Sequence, residues 1–185
     1  MGQYCAVAIE PDTKDWTWVL SETCPECGFD PSAIDVRELP DLIHQNTRGW
    51  YSALDGPDAA VRPAPHIWSP LEYACHVRDV HRLFAERAQL LLDQDDPQFA
   101  NWDQDVTAIE SRYDEQDPAE VSVELVEAAA EIAAVFAGVG EDQWQRVGRR
   151  SNGSVFTVET LGTYFLHDIV HHLHDIGGGS FSAAP

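Results

Sequence analysis

Two copies of one helix-start signature constrain the fold most strongly. Ser69-Pro70-Leu71-Glu72 and Asp117-Pro118-Ala119-Glu120 each supply an N-cap oxygen, a proline at the first helical position and a glutamate at the third. Such a glutamate can bond back to the N–H of the cap residue. Apolar residues then recur three and four positions apart, as in amphipathic helices. We predict helices over residues 70–92 and 118–137.

Two more helices complete the pattern. An amphipathic segment over residues 40–54 ends at Gly56-Pro57, and another over 158–176 begins after Thr157 and stops at a run of three glycines. An Asn-Gly turn at Asn152-Gly153 predicts a small β-hairpin before the last helix. Four helices joined by connections long enough to cross over predict an all-α four-helix bundle.

The remaining segments lack a long helical period. We expect residues 1–35 to form an irregular N-terminal arm that carries a CxxC motif, residues 36–177 to form the bundle, and residues 178–185 to be a disordered tail. Residues 93–117 are rich in carboxylates and are expected to be a solvated connection anchored by aromatic side chains.

Charge and hydropathy exclude several classes of partner. The chain has 185 residues, 32 acidic and 11 basic, and a formal charge of −21. Binding to a phosphate backbone would work against this negative field, so we expect no nucleic-acid partner. The N-terminus lacks the charge and apolar pattern of a leader, and no run of about 18 apolar residues occurs. We therefore expect a soluble, cytoplasmic protein of one domain, without a membrane partner.

Four of the eight histidines lie within eight positions of the last predicted helix, in the stretch FLHDIVHHLHDI. His167 and His171 are one helical turn apart and can bind one divalent ion, as in helical HxxxH zinc sites. A third ligand would come from a facing helix, and His76 is the candidate. His174 lies near the same stripe, whereas His172 points elsewhere and is expected to be a bystander.

These motifs together resemble one known family. The late FLHDIVHH, preceded by SPLEYACHVRDVHRLF, looks like the DinB/YfiT-like superfamily of metal-binding four-helix bundles. The sequence resembles in particular a branch with CPECGFD near the start and NWDQD and RYDEQDPAEV in the middle. The resemblance implies an up-up-down-down bundle that holds a divalent ion with three histidines, matched here by His76, His167 and His171. Many members have glutamine at the position of His174, which is therefore a candidate for supporting a ligand or for a fourth ligand.

The resemblance also suggests chemistry. Some relatives, such as the N-terminal domain of mycothiol-dependent maleylpyruvate isomerase, use a thiol cofactor with their metal. The expected function is therefore a metal-dependent transferase or hydrolase that activates a low-molecular-weight thiol, such as mycothiol, or water against a small electrophile. Zinc or nickel is the expected metal, and a homodimer is compatible with the sequence. Asp168, Asp175 and Asp79 are candidates for orienting a ligating imidazole. The alternative is a non-catalytic, metal-stabilised bundle that binds a partner or a small ligand.

The CxxC motif leaves three alternatives. Cys24-Pro25-Glu26-Cys27-Gly28 has the form of half a zinc ribbon, but the sequence has no second CxxC. The pair can form a reduced or disulfide-closed turn, a second metal site that recruits Cys5 or a histidine, or a redox centre. The redox alternative is disfavoured because no βαβ pattern surrounds the motif.

Overall fold

The computed structural model describes residue 9 and residues 14–178. Cys5 and, apart from Gly178, the predicted tail lie outside the described residues. The helices are α1 Leu39–Gly49, α2 Tyr51–Leu54, α3 Pro70–Asp93, α4 Gln104–Glu110, α5 Pro118–Ala137 and α6 Val158–Asp175.

The predicted four-helix bundle is confirmed, and α1, α3, α5 and α6 form it. Helices α1 and α3 each pack against both α5 and α6, and the core lies between the four. The predicted single helix over 40–54 is divided into α1 and α2 at Trp50, whose N–H bonds to the carbonyl of Thr47 instead of continuing the α-helical pattern. None of the described helices combines the length and apolarity needed to cross a bilayer.

Side-chain caps determine where α3 and α6 begin. The Ser69 hydroxyl accepts the N–H of Glu72, and the Glu72 carboxylate accepts the N–H of Ser69. Arg62 also forms an ion pair with Glu72. Thr157 and Thr160 form the equivalent reciprocal pair at the start of α6. Each cap satisfies N–H groups that lack a partner inside the helix.

The predicted hairpin forms within a slightly larger sheet. Strand β2, Val147–Arg150, pairs antiparallel with β3, Val155–Thr157, and pairs in parallel with β1, Gln98–Phe99. Strand β1 and helix α4 both lie in the segment that we expected to be a solvated connection. The two residues of β1 are too few for a strand period to be visible in the sequence.

The N-terminal arm is built from short 3-10 turns and packs against the bundle. Two turns, Trp16–Leu20 and Pro31–Ala33, lie in the arm, and a third, Val36–Glu38, follows it before α1. An aspartate caps each of the three through its side chain. Val19, Cys24, Cys27 and Phe29 of the arm are buried. The arm therefore contributes to the core, and its first turn contacts α6.

The sheet approaches α3 so closely at Gly148 that a larger residue does not fit. A Cβ atom at this position would lie 2.7 Å from Cγ of the buried Leu91. We expect Gly148→Ala to lower the free energy of unfolding by about 1–3 kcal/mol through overpacking. Gly138→Ala is the control, because its nearest neighbours would be 3.5 Å away. Urea unfolding measures both, and equal stability of the two variants would contradict the prediction.

A buried histidine makes stability depend on pH. His81 is fully buried, its Nδ1 lies 2.6 Å from the carbonyl oxygen of Val77, and burial lowers its pKa from 6.5 to about 4. The unfolded chain therefore binds a proton more readily than the folded one. Stability is complete above pH 6.5 and falls as the pH drops toward 4, and His81 alone costs about 2 kcal/mol between pH 7 and pH 5.

Urea unfolding at these two pH values tests this effect. We expect the loss of stability between pH 7 and pH 5 to be smaller in His81→Leu, whereas His44→Gln, at an exposed position of α1, should behave as the unmodified chain. The prediction is wrong if His81→Leu retains the full pH dependence.

Candidate metal centres

Helix α6 carries metal-ligating side chains on two adjoining faces. His76, Asp168 and His172 form one group, and Cys24, Cys27, His167 and His171 form the other. Within each group, the candidate ligand atoms all lie within 4.8 Å of one another. We call the first the three-donor group and the second the four-donor group.

The structure does not bring the three predicted histidine ligands together in one group. His167 and His171 lie beside the arm, whereas His76 on α3 lies beside Asp168 and His172. The physical reason is helical rotation, since each residue is turned by about 100° from the one before. Two i, i+4 pairs, offset by one residue, therefore point to different neighbours, and spacing alone does not show which pair faces α3.

The three-donor group contains two residues whose roles the sequence analysis assigned differently. His172 was expected to be a bystander, and Asp168 only to orient another ligand. The signal that could have identified them is their own i, i+4 spacing, which equals that of His167 and His171. His174, the candidate supporting or fourth ligand, belongs to neither group among the described residues.

His76 is buried and Asp168 is partly buried, and the two side chains do not satisfy each other. His76 Nε2 lies 3.5 Å from Asp168 Oδ1, and within the described structure these two atoms and His76 Nδ1 have no hydrogen-bond partner. Burial lowers the pKa of His76 and favours its neutral form. Burial by itself would raise the pKa of Asp168, but His76 and His172 outweigh it and hold that pKa at about 2. A neutral imidazole and an ionised carboxylate are the forms that bind metal ions.

Asp175 orients the third member of this group. Its Oδ2 lies 3.0 Å from His172 Nδ1, and His172 Nε2 lies 3.8 Å from Asp168 Oδ1. When Nδ1–H donates to Asp175, the lone pair is on Nε2 and faces the group. Of the carboxylates predicted to orient a ligand, Asp175 lies beside His172, whereas Asp79 instead accepts from the Tyr113 hydroxyl and from Arg78.

Aromatic rings hold the imidazoles of the three-donor group in place. Trp102 stacks on His76, with ring centroids 5.4 Å apart and planes 19° apart. Trp68 packs on His76 at 5.4 Å, and Tyr73 packs on His172 at the same distance. These rings shield the imidazoles from water and restrict their rotation.

A cavity of about 320 Å³ opens beside both groups. Asp168 and His172 line it, and so do His167 and His171 of the four-donor group, while His76 lies behind them and is fully buried. The volume is at the lower end of the range for small-molecule sites. A small molecule in this cavity would reach the three-donor group from the side of Asp168 and His172.

The four-donor group joins the CxxC turn to α6. The N–H of Gly28 bonds to the carbonyl of Cys24, and the N–H of Cys24 bonds to the carbonyl of Phe29. Gly28 has φ +77°, a conformation that glycine adopts without strain. Both thiols of this turn are buried and free, so the structure contains the turn in its reduced form.

Burial favours the uncharged forms of three side chains in the four-donor group, those of Cys27, His167 and His171. Burial raises the pKa of Cys27 to about 12 and lowers that of His167 to about 4. Burial also lowers the pKa of His171. Cys24 Sγ lies 3.7 Å from Nδ1 of His171.

Comparison with known proteins agrees with this architecture. A solved structure described as YfiT from Bacillus subtilis, a probable metal-dependent hydrolase with an unusual four-helix bundle topology, superposes with a TM-score of 0.62. The two chains are 19% identical, and the match covers 77% of this chain and 79% of that one. At this identity the likeness shows the fold alone. No curated protein matches the chain in sequence.

The sequence itself carries the family assignment. The model of the DinB superfamily matches residues 41–176, which include α3, α6 and all three members of the three-donor group. The arm with its CxxC turn precedes the matched region. The chain therefore belongs to the DinB superfamily.

Proposed function

We propose that this protein is a metal-dependent enzyme that activates a low-molecular-weight thiol or water against a small electrophile. The observation that carries the proposal is the three-donor group, in which two nitrogen ligands and one carboxylate converge beside a cavity. Three protein ligands are typical of catalytic zinc sites, which keep a position for water or substrate. The residues present therefore fit a divalent ion.

The donor chemistry supports this fit. Buried polar atoms without a partner are rare in folded proteins, and each costs about 1–3 kcal/mol. His76 and Asp168 contribute three such atoms within one cluster. A cation bound by His76, Asp168 and His172 would satisfy the facing atoms, and zinc and nickel both accept this mixture of imidazole and carboxylate.

A bound divalent ion would act as a Lewis acid and lower the pKa of a thiol or water molecule. The chain's own residues prepare the site for that chemistry. Asp175 keeps the proton of His172 on Nδ1, and Trp102 and Trp68 fix the ring of His76. Burial raises the pKa of Tyr73 to about 12, so its phenol stays protonated and can donate a hydrogen bond in the cavity.

The structural neighbour is consistent with the hydrolase form of the proposal. YfiT is described as a probable metal-dependent hydrolase. Hydrolysis and thiol transfer can both use a nucleophile activated by a metal, and they differ in whether that nucleophile comes from water or from a thiol. Mycothiol is the thiol that the family resemblance suggests, and the cavity admits a small electrophilic partner.

The alternative function is a non-catalytic bundle stabilised by metal. The four-donor group favours it, because a metal with four protein ligands has no position left for a substrate. The three-donor group favours the enzyme over this alternative, because three protein ligands leave the fourth position of a tetrahedral site for a substrate.

Removing one ligand of the three-donor group should remove one metal ion. We expect His172→Ala to contain one divalent ion fewer per chain than the unmodified protein, measured by inductively coupled plasma mass spectrometry. His174→Ala is the matched control, because His174 lies on the same helix and belongs to neither group. Unchanged metal content in His172→Ala would refute the assignment of this ligand.

Asp175 should tune metal affinity without being a ligand. We expect Asp175→Ala to weaken metal binding at the three-donor group by about 10–100-fold, because His172 loses the carboxylate that orients it. Competition with a chelator of known affinity measures the change. Equal affinity in Asp175→Ala and in the unmodified protein would contradict the orienting role.

Activity assays test the reaction class. The metal-loaded protein is offered a panel of small esters, amides and electrophiles, with and without mycothiol. We expect turnover that His172→Ala lacks and His174→Ala retains. Dependence on mycothiol indicates a transferase, and turnover without it indicates a hydrolase. No turnover in either condition, despite full metal loading, would favour the non-catalytic alternative.

A further inference from the structure

We propose that Cys24, Cys27, His167 and His171 bind a second metal ion, a structural zinc that fastens the N-terminal arm to α6. This site is separate from the proposed catalytic centre and uses none of its ligands. It selects one of the alternatives that the sequence left open for the CxxC motif, with histidines from α6 as the recruited partners.

The four donors have the composition of a closed zinc site. Two cysteines three positions apart and two histidines four positions apart are the ligand set of many structural zinc sites. All four residues are buried, with 0%, 1%, 4% and 7% of their surfaces exposed in the order Cys24, Cys27, His167 and His171. Burying four such polar side chains together is unfavourable unless they share a partner.

The spacing of the donors already approaches that of a tetrahedral site. With Zn–S bonds of about 2.3 Å and Zn–N bonds of about 2.0 Å, a sulfur and a nitrogen on one zinc are about 3.5 Å apart. Cys24 Sγ and His171 Nδ1 are 3.7 Å apart. The whole set lies within 4.8 Å, so displacements of about 1 Å or less would close it around an ion.

Each histidine has a suitable nitrogen. His167 Nε2 is buried and has no hydrogen-bond partner in the described part of the chain. His171 faces Cys24 with Nδ1, while its Nε2 lies 3.4 Å from Oε2 of Glu26. A carboxylate beside the distal nitrogen is the usual support of a ligating histidine, and here Glu26, one of the two residues between the cysteines, supplies it.

Backbone hydrogen bonds fix the shape of the turn that carries the two cysteines. The two hydrogen bonds from Gly28 to Cys24 and from Cys24 to Phe29 close the chain around Pro25 and Glu26. Both thiols then face the histidines of α6. The free state of these thiols also leaves them available as thiolate ligands, and a coordinating thiol loses its proton.

A zinc ion at this site would fix the part of the cavity wall that the arm supplies. Trp16 packs on His167 and His171, with ring centroids 5.6 and 5.1 Å apart, and Phe29 packs on His167 at 5.4 Å. Trp16 and Glu26 both line the cavity. A zinc ion that joins the arm to α6 would therefore hold in place the part of the cavity wall that Trp16 and Glu26 supply.

Metal analysis and cobalt substitution of the full chain test the proposal. We expect the unmodified protein to bind two ions, and its Co²⁺ form to show the near-ultraviolet absorption of thiolate-to-cobalt charge transfer. Cys27→Ser should lose one ion, lose most of this absorption and unfold at a lower temperature. Cys75→Ser is the control, since Cys75 is a buried cysteine of α3 outside both groups.

The variants also separate this site from the catalytic proposal. His172→Ala should lose an ion but keep the charge-transfer absorption, whereas Cys27→Ser should keep the ion of the three-donor group. The cobalt spectrum of the unmodified protein does not depend on whether a variant folds. Absence of the charge-transfer absorption in the unmodified protein would overturn the zinc site, and so would a Cys24–Cys27 disulfide found by mass spectrometry after anaerobic purification.

Discussion

The burial of α6 on two adjoining faces is the constraint on which the rest of the structure depends. One face packs against α3 and the other against the N-terminal arm, and each face carries an i, i+4 pair of candidate metal ligands. Imidazoles and a carboxylate at buried positions lower the stability of the fold unless they find partners. The neighbouring helix supplies His76 for one pair, and the arm supplies two cysteines for the other.

The environment of these groups explains their charge states. Burial lowers the pKa of His76, His167 and His171, so the three rings favour the neutral form. Asp168 is the exception, because two imidazoles beside it keep it ionised despite its burial. These imidazoles and this carboxylate therefore need not lose a proton before a cation binds.

The three-donor group and the four-donor group differ in what they allow. Three ligands beside a cavity leave room for a reacting molecule, whereas four ligands complete a tetrahedron. The two groups also share a cavity. His167 and His171 of one group and Asp168 and His172 of the other occupy neighbouring positions on α6, and all four line this cavity. A change in the position of the arm would therefore alter the wall of the cavity beside Asp168 and His172.

The sequence by itself determined the four helices of the bundle and the residue types of the candidate metal ligands. Helix starts are predicted from the proline-containing caps at Ser69 and Asp117, and helix lengths from the hydrophobic periods. Both signals are local, because they depend only on residues close together in the sequence. The FLHDIVHH stretch likewise marked α6 as the helix with candidate metal ligands, because the i, i+4 spacing of its histidines is a local feature. Tertiary structure decided how the ligands are combined, since a rotation of α6 by one residue exchanges the pair that faces α3. It also decided the position of Cys24 and Cys27, because their irregular segment has no period from which its packing partner could be inferred.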